Sequence, residues 1–524
     1  MPLAQRLYST KPLAGVNVGQ SAIAPLRPRQ FTLALLGLVL LWPAIVNGYP
    51  FFFPDTGAYV RGVDAAVVRL TDHRTSWSNA DVLSIARRPS DAATGAPTRS
   101  PPGPASAAGQ PKPVLLGRSV FYGAIAYTGA LTGSFWLTIA LQALLAGAVI
   151  IGFIRHFVDP REERRFAAAA AISTAGLALT PLSWFVSMVM PDFLTGALIV
   201  AATALIVGWG RETKIGRAFW IAIAAFAALA HSSHALMLLG LAVAAFVLSL
   251  FGLRRWRPGA MAVAASAMVG LLGEVAFAAV VTSTTGASPI RPPFITARLV
   301  EDGPGLDFLA SHCGHAQFHL CRYRDRLPLP SDSFLWSKDR ATGVFGAVAT
   351  REQRALAGEQ AAFVGAVVID RPLVVVQSSG AAILRQFASW RLPEFNNDDR
   401  QDAQEGAAKL PAAEKAGLLS SRFARGTMPT GWTELLIPFW SLAGLISIIW
   451  LVKDTRLATV SQYGVVLIAG WLLDVAICGA LSTPHDRYQA RAIWVLAFGA
   501  LTIALTRRGP AQTAVRLGRR SPGV

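Results

Sequence analysis

The sequence predicts an all-α polytopic membrane protein, with about ten transmembrane helices and a mainly helical extracytoplasmic domain inserted between the seventh and the eighth. Three observations carry that reading. Of 524 residues, 53% are hydrophobic and only 15% charged, against about 45–50% and about 25% in an ordinary soluble domain. The apolar residues fall into ten long runs, and basic residues collect in the segments between them. That composition excludes a soluble enzyme. The net charge of +18 does not point to nucleic acid, because the Lys and Arg punctuate apolar runs instead of forming one water-exposed face.

A hydrocarbon core about 30 Å thick takes roughly 17–25 helical residues. The first run, 31–46, follows Arg6, Lys11, Arg27 and Arg29 and ends in AIVNGYP, without an A-x-A cleavage pattern. It reads as an uncleaved anchor whose start is cytoplasmic. Further runs cover 134–154, 166–188, 193–209, 219–230, 235–251, 260–281, 432–452, 460–481 and 492–506. The 219–230 run is short and could continue through His231 and His234 to 251. That single helix would measure about 50 Å at about 1.5 Å per residue and would carry Arg254, Arg255 and Arg257 to the wrong side. A hairpin broken at HSSH is therefore expected.

With ten spans, the cytoplasmic segments hold 21 of the 48 Lys and Arg but only five acids: Asp159, Glu162, Glu163, Glu212 and Asp454. This is the positive-inside bias. It puts a basic N-terminus (1–30) and a basic tail (507–524) in the cytoplasm, with the membrane body at 31–281 and 432–506. Two long segments are left outside. Within the first, 71–113 mixes Ser, Ala, Gly, Thr and Pro and has seven prolines from Pro89 to Pro113, too little apolar surface to offset chain entropy, so it is expected to be disordered. The second, 282–431, alternates turns with apolar pieces such as FVGAVVI and LVVVQSSGAAILRQF and is expected to form short helices on a membrane or in a small domain.

Cys313 and Cys321 lie in that second segment, eight residues apart, and are expected to form a local disulfide in an oxidising compartment. The string HCGHAQFHLC also holds His312, His315 and His319, which leaves a zinc site of mixed Cys and His ligands as the alternative. The third cysteine, Cys478, falls inside a membrane helix.

Charged groups near hydrocarbon are expensive, and each is a functional candidate. Asp55 stands in FFFPDTGAY, where Pro54 and Gly57 fix a turn and three Phe enter the interface. Its plain role is the N-cap of a helix starting near Gly57. Asp192, in MVMPDFLTG, again follows a proline at the start of an apolar helix, and capping is again the plain role. His231 and His234 reach the same outer face; hydrogen-bonded helix-end residues, a metal or haem pair and substrate contact are the readings for them. The last outer turn, STPHDRYQAR, gathers His485, Asp486, Arg487, Tyr488 and Arg491. Arg487 and Arg491, four apart, could cradle an anionic phosphate or anchor to lipid headgroups. Glu274 and Asp474, within the apolar runs, read best as ties between helices.

This arrangement resembles the C-type class of integral membrane glycosyltransferases, which take a sugar from a polyprenyl-phosphate carrier on the outer face. The likeness rests on the Pro-Asp-x-x-x-Tyr motif of FFFPDTGAY, the second acid in MPDF, the HSSH hairpin and the HDRYQAR turn, over about 31–251 and 481–506. It implies Asp55 as catalytic base and Asp192 as the second acid of the site. The late turn, with His485, Arg487, Tyr488 and Arg491, is similar to the part that meets the carrier phosphate. No tight D-x-D pair stands in the first loop, so neither metal nor other cofactor is implied.

A sugar phosphate ester carries its own leaving group, so one inverting displacement needs a base and a phosphate clamp. On that reading Asp192 orients the acceptor or a positive partner, and Tyr59, Trp184 and Tyr488 stack on sugar faces. The partners would be membrane lipid, a polyprenyl-phosphate-linked sugar and an acceptor the sequence does not name. The place would be the bacterial inner (plasma) membrane. Two other readings stand beside it: a transporter or flippase for a lipid-linked sugar, and a non-catalytic membrane scaffold acting through 282–431.

Overall fold

The computed structural model describes residues 23–86, 113–314, 318–397, 400–452 and 458–507. The expectations for 1–22, for 87–112 of the insert, for His315, for the 453–457 turn and for the tail from 508 lie outside the described residues. The described residues are helical and hold no strands, only two isolated bridges, Phe51 with Met188 and Leu115 with Ile290.

Every apolar run is helical, but the runs do not all make helices of spanning length. The first forms α1 (Thr32–Asn47), wound as a 3-10 helix to Leu41. There follow α2 (Thr56–Thr71), α3 (Val120–Thr132), α4 (Phe135–Ile154) and α5 (Glu163–Ala178). Next come α6 (Phe193–Gly208), α7 (Lys214–Ala230), α8 (Ser232–Leu250) and α9 (Arg257–Thr285). The later helices are α10 (Gln360–Asp370), α11 (Pro372–Phe387), α12 (Thr430–Val452), α13 (Ala458–Leu481) and α14 (Asp486–Arg507). Five are long and apolar enough to cross a membrane (α4, α8, α9, α12 and α13), or six if α10 and α11, bent by 107°, form one broken span. The 166–188 run is not one helix. It stops at Ala178 and restarts at Pro181, where Thr180 accepts from the Leu182 N–H and proline occupies the first helical turn.

α6 is the axis of the body. All its residues from Phe193 to Gly208 are buried, and it packs against α4, α7, α8, α9, α13 and α14. At 16 residues it measures about 24 Å, short for a lipid-spanning helix, but a helix enclosed by protein has no hydrocarbon thickness to match. Gly196 permits one of the close contacts: a Cβ there would lie 2.3 Å from the Trp494 ring on α14. Peripheral helices show the reverse pattern, with Met261, Leu272 and Val275 of α9 and Leu435, Phe439 and Leu442 of α12 exposed. Apolar faces of that extent are those a membrane covers.

One end of the bundle is tied by charges from the short basic segments. Arg27 meets Glu163 at 2.5 Å, Arg255 donates to Gln462 at 2.8 Å, and Arg165 donates to the Leu505 carbonyl at 3.2 Å. The tightest group surrounds Glu212, whose carboxylate accepts from Arg155 at 2.9 Å and from Trp220 at 2.8 Å and lies 3.0 Å from His156 Nε2. Burial alone would raise the Glu212 pKa, but His156, Arg155 and Trp220 outweigh it and pull the carboxyl down to about 2. A depressed carboxyl stabilises the fold above its unfolded pKa of about 4.5 and loses that contribution as pH falls toward the folded value. The melting temperature of Glu212→Gln is therefore expected to lie well below the parent's at pH 7, with the gap closing below about pH 4. Equal gaps at both pH values would remove this role.

The 282–431 segment divides in two. Residues between Ile290 and Val367 build a separate small core around Leu299, Phe308, Phe334 and Phe363, closed by a Cys313–Cys321 disulfide. That bond uses both thiolates a mixed zinc site would need. His312 stacks on Phe308 at 4.3 Å and His319 lies 3.9 Å from Glu352, and no group of metal-ligand spacing occurs among the described residues. The later part, with Leu392, Phe395, Ala407, Leu418 and Met428, joins the main core instead. Buried Arg298, paired with Asp302 at 2.9 Å, donates to the Ala480 carbonyl, and Glu301 accepts from Thr483 at 3.2 Å, so the small unit docks where α13 ends.

Residues 71–86, which composition assigns to the disordered insert, are structured. Buried Asp64 accepts from Thr75 at 2.9 Å and Ser78 at 2.7 Å, and the helix Ala80–Ala86 follows. Two hydroxyls at fixed spacing gave that loop a partner that composition does not reveal.

Candidate functional site

Four segments remote in sequence meet at the end of the bundle opposite Glu212. The first loop is laid beside the second by backbone pairing: Phe51 N donates to the Ser187 carbonyl at 3.0 Å, and Val189 N to the Phe51 carbonyl at 2.9 Å. Thr56 locks the turn between them. Its hydroxyl accepts from Phe53 N at 3.0 Å and donates to the Val189 carbonyl at 3.0 Å. The chain between Phe51 and Thr56 is thus held against the Met188–Pro191 turn, and Asp55 and Asp192 open neighbouring helices.

Neither aspartate spends its carboxylate as a cap. Both occupy N-cap positions, of α2 and α6, without a side-chain capping bond. Asp192, 3% exposed, lies 3.4 Å from Arg487 Nε and 3.5 Å from Arg491 Nη1. Arg491 is itself 1% exposed and reaches Asp474 on α13 at 3.2 Å. The run Asp474–Arg491–Asp192 joins α13, α14 and α6 through buried charges, which puts Asp474 in the tie between helices expected of it. Arg487 is placed differently. Its guanidinium lies over the Phe53 ring at 4.1 Å, its Nε faces Asp192, and its Nη1 is buried without a protein hydrogen-bond partner.

Asp55 faces Arg118 at 2.5 Å, with the two side chains 28% and 16% exposed. This pair lines a cavity of about 1180 Å³. Its remaining polar lining mixes basic side chains, from Arg61, Arg69, Lys338 and Lys409, with neutral ones, from Ser76, Asn79, Thr284 and Thr285, while its walls include Leu70, Val120, Phe277 and Val280. Val280 and neighbouring Val275 are exposed on α9, so the cavity adjoins an apolar outer face. Asp192, Arg487 and Arg491 do not line it. Tyr59 connects the two groups: buried against Tyr122 at 5.1 Å, it feels Asp55, Asp192, Arg118 and Arg487. Burial first, then the two carboxylates, hold its hydroxyl far above the ordinary phenol range.

No protein-family model matches the chain, and no curated protein or solved structure does either.

The other expected residues separate into those at this centre and those beside it. His234 is fully satisfied, since its Nδ1–H donates to the Ala227 carbonyl at 2.9 Å and its Nε2 faces the Thr195 hydroxyl at 2.8 Å. His231 caps α8, its Nδ1 accepting from Ser233 N at 3.3 Å. It lines a small pocket with Arg118, Ser232 and Glu274. Glu274 pairs with Arg291 and accepts from Ser232 at 3.4 Å, tying α9 to the segment after it. His485 turns away toward Asp332 of the small unit, at 3.4 Å. Tyr488 lies under both Arg487 and Arg491, at 5.4 and 5.0 Å. Trp184 does not reach a ligand face: it is wholly buried among Trp42, Phe51 and Phe395, and its indole N–H donates to Thr433 at 3.2 Å.

Sequence reasoning missed Glu394. The 3-10 turn Pro393–Phe395 is anchored by Phe395, whose ring packs on Phe51 at 5.0 Å and on Phe185 at 5.3 Å, and by Leu392 N donating to Glu434 at 2.8 Å. This brings Glu394 within electrostatic reach of Arg487, Asp486 and Asp192. Its Oε2 is buried without a hydrogen-bond partner. Burial raises the carboxyl to about 7, although Arg487 pulls the other way. A signal was available: Leu392-Pro393-Glu394-Phe395 repeats the apolar–Pro–acid–aromatic order of Met190-Pro191-Asp192-Phe193.

Proposed function

We propose that the protein is a multi-pass glycosyltransferase of the bacterial inner membrane, moving a sugar from a polyprenyl-phosphate carrier to an acceptor at the extracytoplasmic face. The finer topology belongs to this proposal: ten crossings, both termini cytoplasmic, and 282–431 outside. The observation that carries it is the cavity beside Asp55 and Arg118, apolar on its walls, with basic and neutral polar side chains and no acid but Asp55 in its lining, and adjoining the exposed flank of α9. A polyprenyl chain fits such walls and a phosphodiester fits such a lining, while the sugar would lie near the carboxylate.

In the transfer, Asp55 takes the proton of the acceptor hydroxyl as the acceptor oxygen bonds to the anomeric carbon. The carbon–oxygen bond to the phosphate breaks, and its electron pair leaves with the phosphate. Arg118, paired with Asp55 on the cavity lining, and Arg487, outside that lining but sharing Tyr59 as a neighbour with Asp55 and Arg118, stabilise the charge building on that phosphate. Asp192 and Arg491 position Arg487 through the buried ion pairs.

Full-length protein in proteoliposomes, supplied with a panel of radiolabelled polyprenyl-phosphate sugars and an extract of envelope acceptors, tests the reading. Transfer of label is expected from one donor. Movement of the intact donor across the bilayer without cleavage would instead favour the transporter. Ala124, exposed on the cavity wall, supplies a control: Ala124→Trp is expected to raise the donor KM at least about tenfold with folding intact, since the indole occupies the volume the lipid needs. An unchanged KM would separate the cavity from donor binding.

A further inference from the structure

Two buried polar atoms of opposite character stand in the same part of the site without a hydrogen-bond partner, Glu394 Oε2 and Arg487 Nη1. They interact electrostatically but form no ion pair with each other within 4 Å. A carboxylate beside an arginine normally closes that distance, because an unpaired buried charge is costly. Here each side chain is fixed by other contacts. Arg487 is clamped over Phe53 and held by Asp192, and Glu394 rides on a turn pinned by Phe395 and Leu392.

We propose that Glu394 is a ligand-contacting residue of the site: as the neutral acid it donates a hydrogen bond, together with Arg487 Nη1, to an anionic phosphodiester oxygen of the lipid-linked donor. The proposal rests on the glycosyltransferase reading and names a group in it that the resemblance does not supply. A neutral carboxyl adds a donor without the repulsion an ionised one would bring, so it suits an anion that the guanidinium alone would hold with one arm. The charged groups facing Glu394 are Arg487 and Asp486 at the start of α14 and Asp192 at the start of α6, with Glu434 of α12 bonded to the adjoining Leu392. Burial raises the carboxyl to about 7, and an incoming anion favours its protonated form further. Donor binding therefore takes up a proton above neutrality. His485 faces Asp332 of the small unit.

The test measures binding of a short-chain prenyl phosphodiester of a sugar, whose single charge does not change over the range, to full-length protein in nanodiscs from about pH 5.5 to 9. The parent Kd is expected to be flat below about pH 7 and to rise about tenfold per unit above it. Glu394→Gln, a permanent neutral donor, is expected to bind as tightly at pH 9 as the parent does at pH 6. That gain cannot arise from misfolding. Glu394→Ala, which lacks the donor, is expected to be flat and about tenfold weaker than Glu394→Gln. A parent without pH dependence, or a Glu394→Gln protein that keeps the parent's slope, overturns the role of Glu394 while leaving the donor-binding reading intact. Absence of binding by the parent at every pH overturns both.

Discussion

Asp55→Asn protein is expected to insert and fold and to lose sugar transfer by about 10²–10⁴-fold, the usual worth of a positioned general base. Two features separate the loss of chemistry from a loss of structure. The Asp55–Arg118 pair is partly exposed, and Arg118 also lies over the Trp336 ring at 4.6 Å. Removing one charge therefore costs less stability than breaking the fully buried pairs around Asp192. Asn keeps the shape and the neighbours of Asp but accepts no proton. Donor KM is expected to change little, so the defect should appear in kcat. Transfer by Asp55→Asn at more than about a tenth of the parent rate would remove Asp55 as the base.

Asp192→Ala is expected to fail for the opposite reason. Asp192 faces two guanidiniums at 3.4 and 3.5 Å in a buried setting, and truncation leaves both without that partner. Breaking a buried pair in this way costs about 3–5 kcal/mol, a large part of the roughly 5–15 kcal/mol that holds a typical domain together. The variant should leave detergent as aggregate or melt far below the parent. Asp192→Asn, which keeps hydrogen-bonding capacity but not charge, should fall between. An Asp192→Ala protein that is monodisperse with an unchanged melting temperature would show that Arg491 and Asp474 need no third partner.

Much of the helical plan was legible because hydrocarbon is a severe filter: runs such as 134–154 and 460–481 return as α4 and α13 almost residue for residue. Helix length was less legible, since it depends on what encloses a helix. α6 can be short because it is covered on every side, and the 166–188 run breaks because Thr180 and Pro181 restart it. Asp55, Asp192 and Arg487 come to one end of the bundle, as expected from a count of ten spans, although only five or six of the described helices have spanning length. The pairing inside the group does not follow from that count, because nothing in spacing says that Arg487 and Arg491 would turn toward the same carboxylate. Trp184 shows the limit of composition: a tryptophan beside an acid motif reads equally well as a sugar platform or as a filler of the core. Glu394 was hidden by its location in 282–431, whose later part folds into the membrane body and not with the disulfide-bearing unit.

The Asp192–Arg491 contact joins positions 299 residues apart, and it bears on biogenesis. A ribosome releases α6 long before it releases α14, so the newly made N-terminal half carries an unneutralised acid and an axis helix that still lacks the α13 and α14 side of its surroundings. The nascent protein must keep that helix sheltered, by a chaperone or by the insertion machinery itself, until the last segment arrives to complete its coat. Chains that terminate early should consequently be prey for membrane proteases, however many of their hydrophobic segments have already been inserted.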